Sequence, residues 1–169
     1  MKIRGNSIKI VDNKGDFIDD IDTDQIFHNR FLTITDQVEM GRHAFSNLAG
    51  WQDYPQKAVP NDILVCGANF GAGSSRQQAV GCFQALGVIA IVARSFASIY
   101  FRNAVNAGLP VVLAPDLSNN AISDGDELVL DIKKGEIHNL TTKMTITTIP
   151  ASDVQLEILN AGGLLNLAE

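Results

Sequence analysis

Two glycines, two hydroxyls and a guanidinium stand together in Asn69-Phe70-Gly71-Ala72-Gly73-Ser74-Ser75-Arg76. These residue types in this order are the makings of an anion site. Gly71 and Gly73 allow positive φ and let the backbone come close to a ligand. A strand that ends in glycines and feeds a helix leaves the first N–H groups of that helix unpaired, and the helix dipole adds to their pull on negative charge. Ser74 and Ser75 place hydroxyls at the expected cap, and Arg76 brings a planar fork matched to a carboxylate or phosphate. A serine hydroxyl is a weak acid and acts as a base only where its alkoxide is stabilised. The same N–H groups and the arginine charge would do that, and would steady an enolate-like transition state as well.

Other readings of the turn compete. A P-loop needs G-x-x-x-x-G-K-[ST], and no lysine follows these glycines. A dinucleotide fingerprint needs a third glycine at position 76, which is arginine. A plain helix cap, with Ser74 as an ordinary N-cap and Arg76 solvated, stays open on local pattern alone. Cys66 and Cys82 both lie in apolar sequence and read as buried free thiols. His28, His43 and His138 lack the spacing of metal ligands, so the chain is expected to hold no metal of its own.

The elements that must position the turn are legible around it. Ile63-Leu64-Val65-Cys66 is a short apolar strand closed by Gly67, and Ala79, Val80, Phe83 and Leu86 fall at helical spacing over Gln77 to Leu86. Val88 to Val92 is a second apolar strand, Ser95 to Asn106 a second amphipathic helix, and Val111-Val112-Leu113 a third strand. This alternation implies a parallel sheet with right-handed crossovers. Upstream, Ile8 to Val11 reads as a first strand, and Asp36 with Glu39 three residues on predicts a helix from Asp36 to Phe45. Gly50 to Pro60 has no clean period and is expected to be a loop, long enough for a lid or a partner-facing element. Downstream, Glu127 to Ile132 and Thr142 to Ile149 read as antiparallel strands around a turn at Lys133 to Glu136, and Ala151 to Leu159 as a closing helix. The expected fold class is α/β, with parallel central strands and a β-rich flank, in one domain over residues 1–169.

Composition narrows the function. The net charge of -6 speaks against nucleic acid or an anionic membrane surface, since both need a basic footprint. An acidic protein that binds an anion has to focus positive charge locally, which singles out the arginines near the turn. No apolar run approaches the roughly 18 residues of a membrane span, and the N-terminus lacks a signal-peptide pattern, so the chain reads as cytoplasmic.

The fuller string Cys66-Gly67-Ala68-Asn69-Phe70-Gly71-Ala72-Gly73-Ser74-Ser75-Arg76-Gln77-Gln78-Ala79 closely resembles the signature of the swivel domain of the aconitase superfamily, in particular the separate small subunits of its isopropylmalate dehydratase branch. Asp22-Thr23-Asp24-Gln25-Ile26 followed by Arg30-Phe31-Leu32 is a second match, and Phe101 to Pro110 a third. The resemblance implies an aconitase-type swivelling β/β/α fold and a reversible dehydration and rehydration of a hydroxy acid. It implies a [4Fe-4S] cluster bound by a larger partner subunit, with no cofactor bound by this chain. Ser74 matches the serine that takes the proton beside a substrate carboxylate, and Ser75 and Arg76 match residues that hold that carboxylate. Asp24 matches an active-site aspartate with a catalytic part, although a turn or cap carboxylate is its plainer reading. Arg30 is a second candidate clamp, with a solvated loop arginine as the alternative, and Arg102 and Asn103 read as structural.

The chain departs from many relatives at Ala72, Gln77 and His28, where cysteine, glutamate and proline are common. His28 in place of proline puts the placement of Arg30 in question. Within the family the loop after the second motif sorts substrates. Here Phe31-Leu32-Thr33-Ile34-Thr35 carries no charge, which suits a branched apolar substituent because an unpaired buried carboxylate is costly. Isopropylmalate, an intermediate of leucine biosynthesis, is thus the expected substrate, with homoaconitate, citramalate and dimethylmalate as alternatives. A swivel module that binds RNA or protein without catalysis is the remaining class; its RNA form conflicts with the acidic charge.

Overall fold

Strand β2, Asp62–Cys66, is buried along its whole length. Its side chains alternate between two apolar layers. Leu64 and Cys66 join Phe45, Phe70 and Phe83 on one face, while Ile63 and Val65 join Ile3, Leu128 and Leu130 on the other. A strand covered on both faces needs no polar alternation, which is why it reads as a continuous apolar run. Strand β3, Ala90–Ala93, divides in the same way, with Ile91 and Ala93 opposite Ala90 and Val92. Strand β4, Val111–Leu113, lies beside β3.

The computed structural model describes residues 1–168, and in it these strands join β1 (Lys2–Lys9), β5 (Glu127–Asp131), β6 (Glu136–Asn139) and β7 (Met144–Thr147) in one seven-stranded sheet. The order is β4-β3-β2-β1-β5-β6-β7. Strands β1 to β4 are parallel, with Leu64 opposite Ile91 and Val92 opposite Val112. Strands β5 to β7 run antiparallel, with Ile3 opposite Leu130 and Leu130 opposite Ile137. The fold is therefore the expected mixed α/β sheet, parallel at one side and antiparallel at the other.

Among the described residues, six short α-helices cover it: α1 (Thr23–Ile26), α2 (Gln37–Gly41), α3 (Tyr54–Lys57), α4 (Gln78–Ala85), α5 (Ser98–Asn106) and α6 (Asp153–Asn160). Ile26, Phe83, Tyr100 and Ile158 bring α1, α4, α5 and α6 into the same apolar layer. Helix α6 begins with a capping box in which Ser152 and Gln155 each bond the other's backbone N–H.

Several expected boundaries move. The first strand begins at Lys2, because Ile3, Gly5 and Ser7 all face inward and only one of them is apolar. The helix at Asp36 ends at Gly41 and gives way to turns; Phe45 takes φ +57°, which no continuing helix allows. Strand β6, Glu136–Asn139, is not expected from the sequence, which places Glu136 in a turn and no strand between it and Thr142. The segment from Gly50 to Pro60 is anchored, contrary to a lid. Trp51 Nε1 donates to the Val11 carbonyl at 2.9 Å, and buried Tyr54 donates its hydroxyl to Asp62 at 2.9 Å.

Candidate active site

The chain leaves β2 through a turn clamped on both sides. Gly71 N–H donates to the Ile21 carbonyl and Thr23 N–H to the Ala72 carbonyl, each at 2.8 Å. On the other flank Asn69 N–H donates to Ser95 Oγ at 2.7 Å and Ala97 N–H to the Phe70 carbonyl at 2.9 Å. Gly71 and Gly73 have φ of +84° and +94°. Glycine is required at 71 by space as well as by φ, since a Cβ there would lie 2.2 Å from the Tyr100 ring. That buried tyrosine donates its hydroxyl to the Ala79 carbonyl at 2.8 Å and so ties α5 to α4 behind the turn.

Helix α4 starts at Gln78, and the cap position is Gln77, which makes no side-chain cap bond. Ser74 and Ser75 are thus not its caps. Both are tied elsewhere: the Ser74 carbonyl accepts from Thr23 Oγ1 at 2.8 Å, and Ser75 Oγ accepts from Asn103 Nδ2 at 2.8 Å. Both serines are exposed. From Ser74 to Gln78, no backbone N–H donates to a protein acceptor among the described residues. Five adjacent donors beside two open hydroxyls are what a small anion binds.

Arg76, within this row, has only 12% of its side chain exposed. One terminal nitrogen donates to Asp24 Oδ1 at 3.1 Å and to the Phe27 carbonyl at 2.8 Å, while Nε is buried with no partner among the described residues. Asp24 also accepts from Asn29 N–H at 2.9 Å and from Asn47 Nδ2 at 2.8 Å. The Asn29 N–H is the chief cause that holds its carboxyl below the usual carboxylate value; burial opposes it, and Arg76 and Asn47 add to the lowering. An ionised carboxylate with three donors is set up to hold an arginine. Asp24 thus supplies the negative charge beside Arg76 in this chain.

Of the expected specificity loop, Phe31, Leu32 and Ile34 pack against the core, and Thr33 and Thr35 are exposed. Phe31 stacks on His43 with ring centroids 3.8 Å apart. Gln78 Nε2 reaches from α4 to the carbonyls of Leu32 and Ile34 at 3.0 and 3.4 Å, which pins the loop to the serine turn. His28 keeps φ at -59°, the angle a proline would impose. It also does what proline cannot: its own N–H donates to Ser46 Oγ at 2.9 Å. Its Nδ1 then accepts the Arg30 N–H at 3.0 Å. Arg30 is exposed, lies over Phe31 at 4.8 Å, and makes no ion pair among the described residues.

Residues 11–116, which contain the whole turn and both of its flanks, match the aconitase C-terminal domain family. The chain belongs to that family. It is 45% identical to the 3-isopropylmalate dehydratase small subunit of Pyrobaculum aerophilum over 98% of this chain and 96% of that protein. It is 40% identical to 3-isopropylmalate dehydratase small subunit 1 of Methanopyrus kandleri, over 89% of this chain and 87% of the other. Among solved structures, 3-isopropylmalate dehydratase from Methanocaldococcus jannaschii superposes with a TM-score of 0.86 at 38% identity, covering 99% of this chain and 93% of that one.

The aconitase family implies an iron-sulfur cluster, and the residues of this chain do not fit one. Cys66 and Cys82 are both fully buried, burial pushes both thiols up, and among the described residues no three His, Cys, Asp or Glu side chains lie together. No described helix is long and apolar enough to cross a membrane. Sequence reasoning passed over Thr23, Asn47 and Gln78, and it assigned Asn103 to structure alone. Thr23, Gln78 and Asn103 stand inside quoted motifs, but nothing in a motif says which side chain a neighbour will hold.

Proposed function

We propose that this chain acts as one swivel domain, the small subunit of a 3-isopropylmalate dehydratase, interconverting 2- and 3-isopropylmalate by dehydration and rehydration in leucine biosynthesis. The observation that carries the reading is the serine turn, with five unpaired N–H groups beside exposed Ser74 and Ser75, in a chain near-full-length similar to such small subunits. The partner is a larger subunit that carries a [4Fe-4S] cluster and supplies a Lewis acid for the substrate hydroxyl.

The work of this chain is proton transfer and binding. Ser74, as alkoxide, takes the proton from the carbon next to a carboxylate; the electron pair of that C–H bond forms the double bond as hydroxide departs from the neighbouring carbon. Addition of water at the other carbon reverses the sequence. Unpaired N–H groups stabilise the alkoxide and the negative charge that grows on the carboxylate. Ser75 and Arg76 hold that carboxylate. Asp24, with three donors already on its carboxylate, acts by holding Arg76 rather than by moving a proton. Arg30 has a guanidinium free for a second carboxylate, and the uncharged Thr33 and Thr35 border the apolar substituent.

Anaerobic co-expression with the large subunit and hydration assays on isopropylmaleate, homoaconitate and citraconate test the reading. Isopropylmaleate is expected to turn over fastest. Ser74→Ala should lower its turnover by about a thousandfold or more while the two subunits stay associated. Retained turnover would refute Ser74 as the base, and preference for another acid would refute the substrate.

A further inference from the structure

Asn103 stands on α5 and reaches across to the serine turn, where its Nδ2 donates to Ser75 Oγ at 2.8 Å. An amide nitrogen has only hydrogens to offer, so Ser75 must accept and its own hydroxyl proton is left to point elsewhere. That proton meets no protein acceptor among the described residues, and Ser75 is exposed and belongs to the run of residues whose N–H groups are unpaired. The helix that carries Asn103 is firmly placed. Tyr100, three residues before it, packs against Gly71 and bonds the Ala79 carbonyl, and Ala104 beside it is fully buried.

We propose that Asn103 is a positioning residue that fixes Ser75 as a hydrogen-bond donor toward a substrate carboxylate. The proposal rests on the reading of Ser75 as a carboxylate-binding residue. A hydroxyl free to rotate presents a lone pair to the carboxylate part of the time, and that contact is repulsive. With one lone pair held by Asn103, the O–H is aimed outward before substrate arrives, and less ordering remains to be done on binding.

The test uses the complex of this chain with its large subunit, with 3-isopropylmalate as the probe and kcat and KM measured separately. Asn103→Ala is expected to raise KM about tenfold, the scale of one hydrogen bond, with kcat changed less than about threefold. Asn103→Asp keeps the size but turns the donor into an acceptor, so Ser75 gives its proton to the helix; KM should rise further than in Asn103→Ala. In a Ser75→Ala background, Asn103→Ala should add nothing, because the residue acts through the missing hydroxyl. If the two effects multiply, or if Asn103→Asp keeps the KM of the unaltered complex, the proposal is overturned. If Ser75→Ala itself leaves KM unchanged, the reading of Ser75 fails and Asn103 falls with it. Ser74→Ala reports on the base alone, and its outcome leaves this comparison intact. Subunit association is checked by gel filtration, and the isosteric Asn103→Asp carries the test if Asn103→Ala assembles poorly.

Discussion

Asp24 holds more of the site together than any other single side chain, since it accepts from Asn29, Asn47 and Arg76 at once. A carboxyl held below its ordinary value of 3.8 contributes stability that is fully present above that value and is lost as pH falls through the lowered one. Asp24→Asn keeps the shape and removes the charge. With 37% of the side chain exposed, water screens the pair, and the expected cost near neutral pH is about 1 kcal/mol, or roughly 2–4 °C in Tm. The sign of the pH effect is specific. Below about pH 4 the Asn variant should lose Tm less steeply than the parent chain, and the two melting curves should converge. A gap that widened on acidification would mean that Asp24 does not pair as described. In the assembled enzyme the same variant should raise KM, because the Arg76 guanidinium loses its anchor.

At the scale of elements, the turn depends on Gly71 in a way that can be separated from backbone strain. Gly50 has the same φ, +84°, with open space where a Cβ would go, whereas a Cβ at Gly71 would strike the Tyr100 ring. Gly50→Ala is expected to cost about 1 kcal/mol from φ alone. Gly71→Ala should cost at least about 3 kcal/mol in urea unfolding, because a buried ring tied to α4 cannot move aside. Equal costs would show that Tyr100 does not brace the turn. The example also shows what was legible in the sequence. Strands β2, β3 and β4 could be read because burial on both faces demands unbroken apolar runs. The start of β1 could not, because Gly5 and Ser7 occupy inward positions where no hydrophobic signal exists. The glycines and serines of the turn announced an anion site, yet the true start of α4 was hidden. Ser74 and Ser75 are fine N-caps by residue type, but the helix begins only at Gln78, with Gln77 at its cap. The loop from Phe31 to Thr35 reads as uncharged in any case, but its pattern does not tell which side chains turn inward.

On the scale of the whole molecule, the turn faces water. Ser74 and Ser75 are exposed. In that state the N–H row works in a medium of high dielectric, where its hold on an alkoxide is a small fraction of what it is in a dry site. A serine base of this kind therefore needs a second surface to close over it and exclude water. The large subunit is proposed to supply that surface along with its metal centre, so the two halves of the site form only by assembly. Purified alone, this chain is expected to be folded and to show no hydration of isopropylmaleate above the uncatalysed rate. Titrated anaerobically into a fixed amount of the large subunit, it should bring activity up to a plateau at a definite subunit ratio, and Ser74→Ala chain should compete for the same places without restoring turnover. Activity from this chain by itself, or a plateau that the Ser74→Ala chain fails to lower, would show that the site is not divided between two polypeptides in this way.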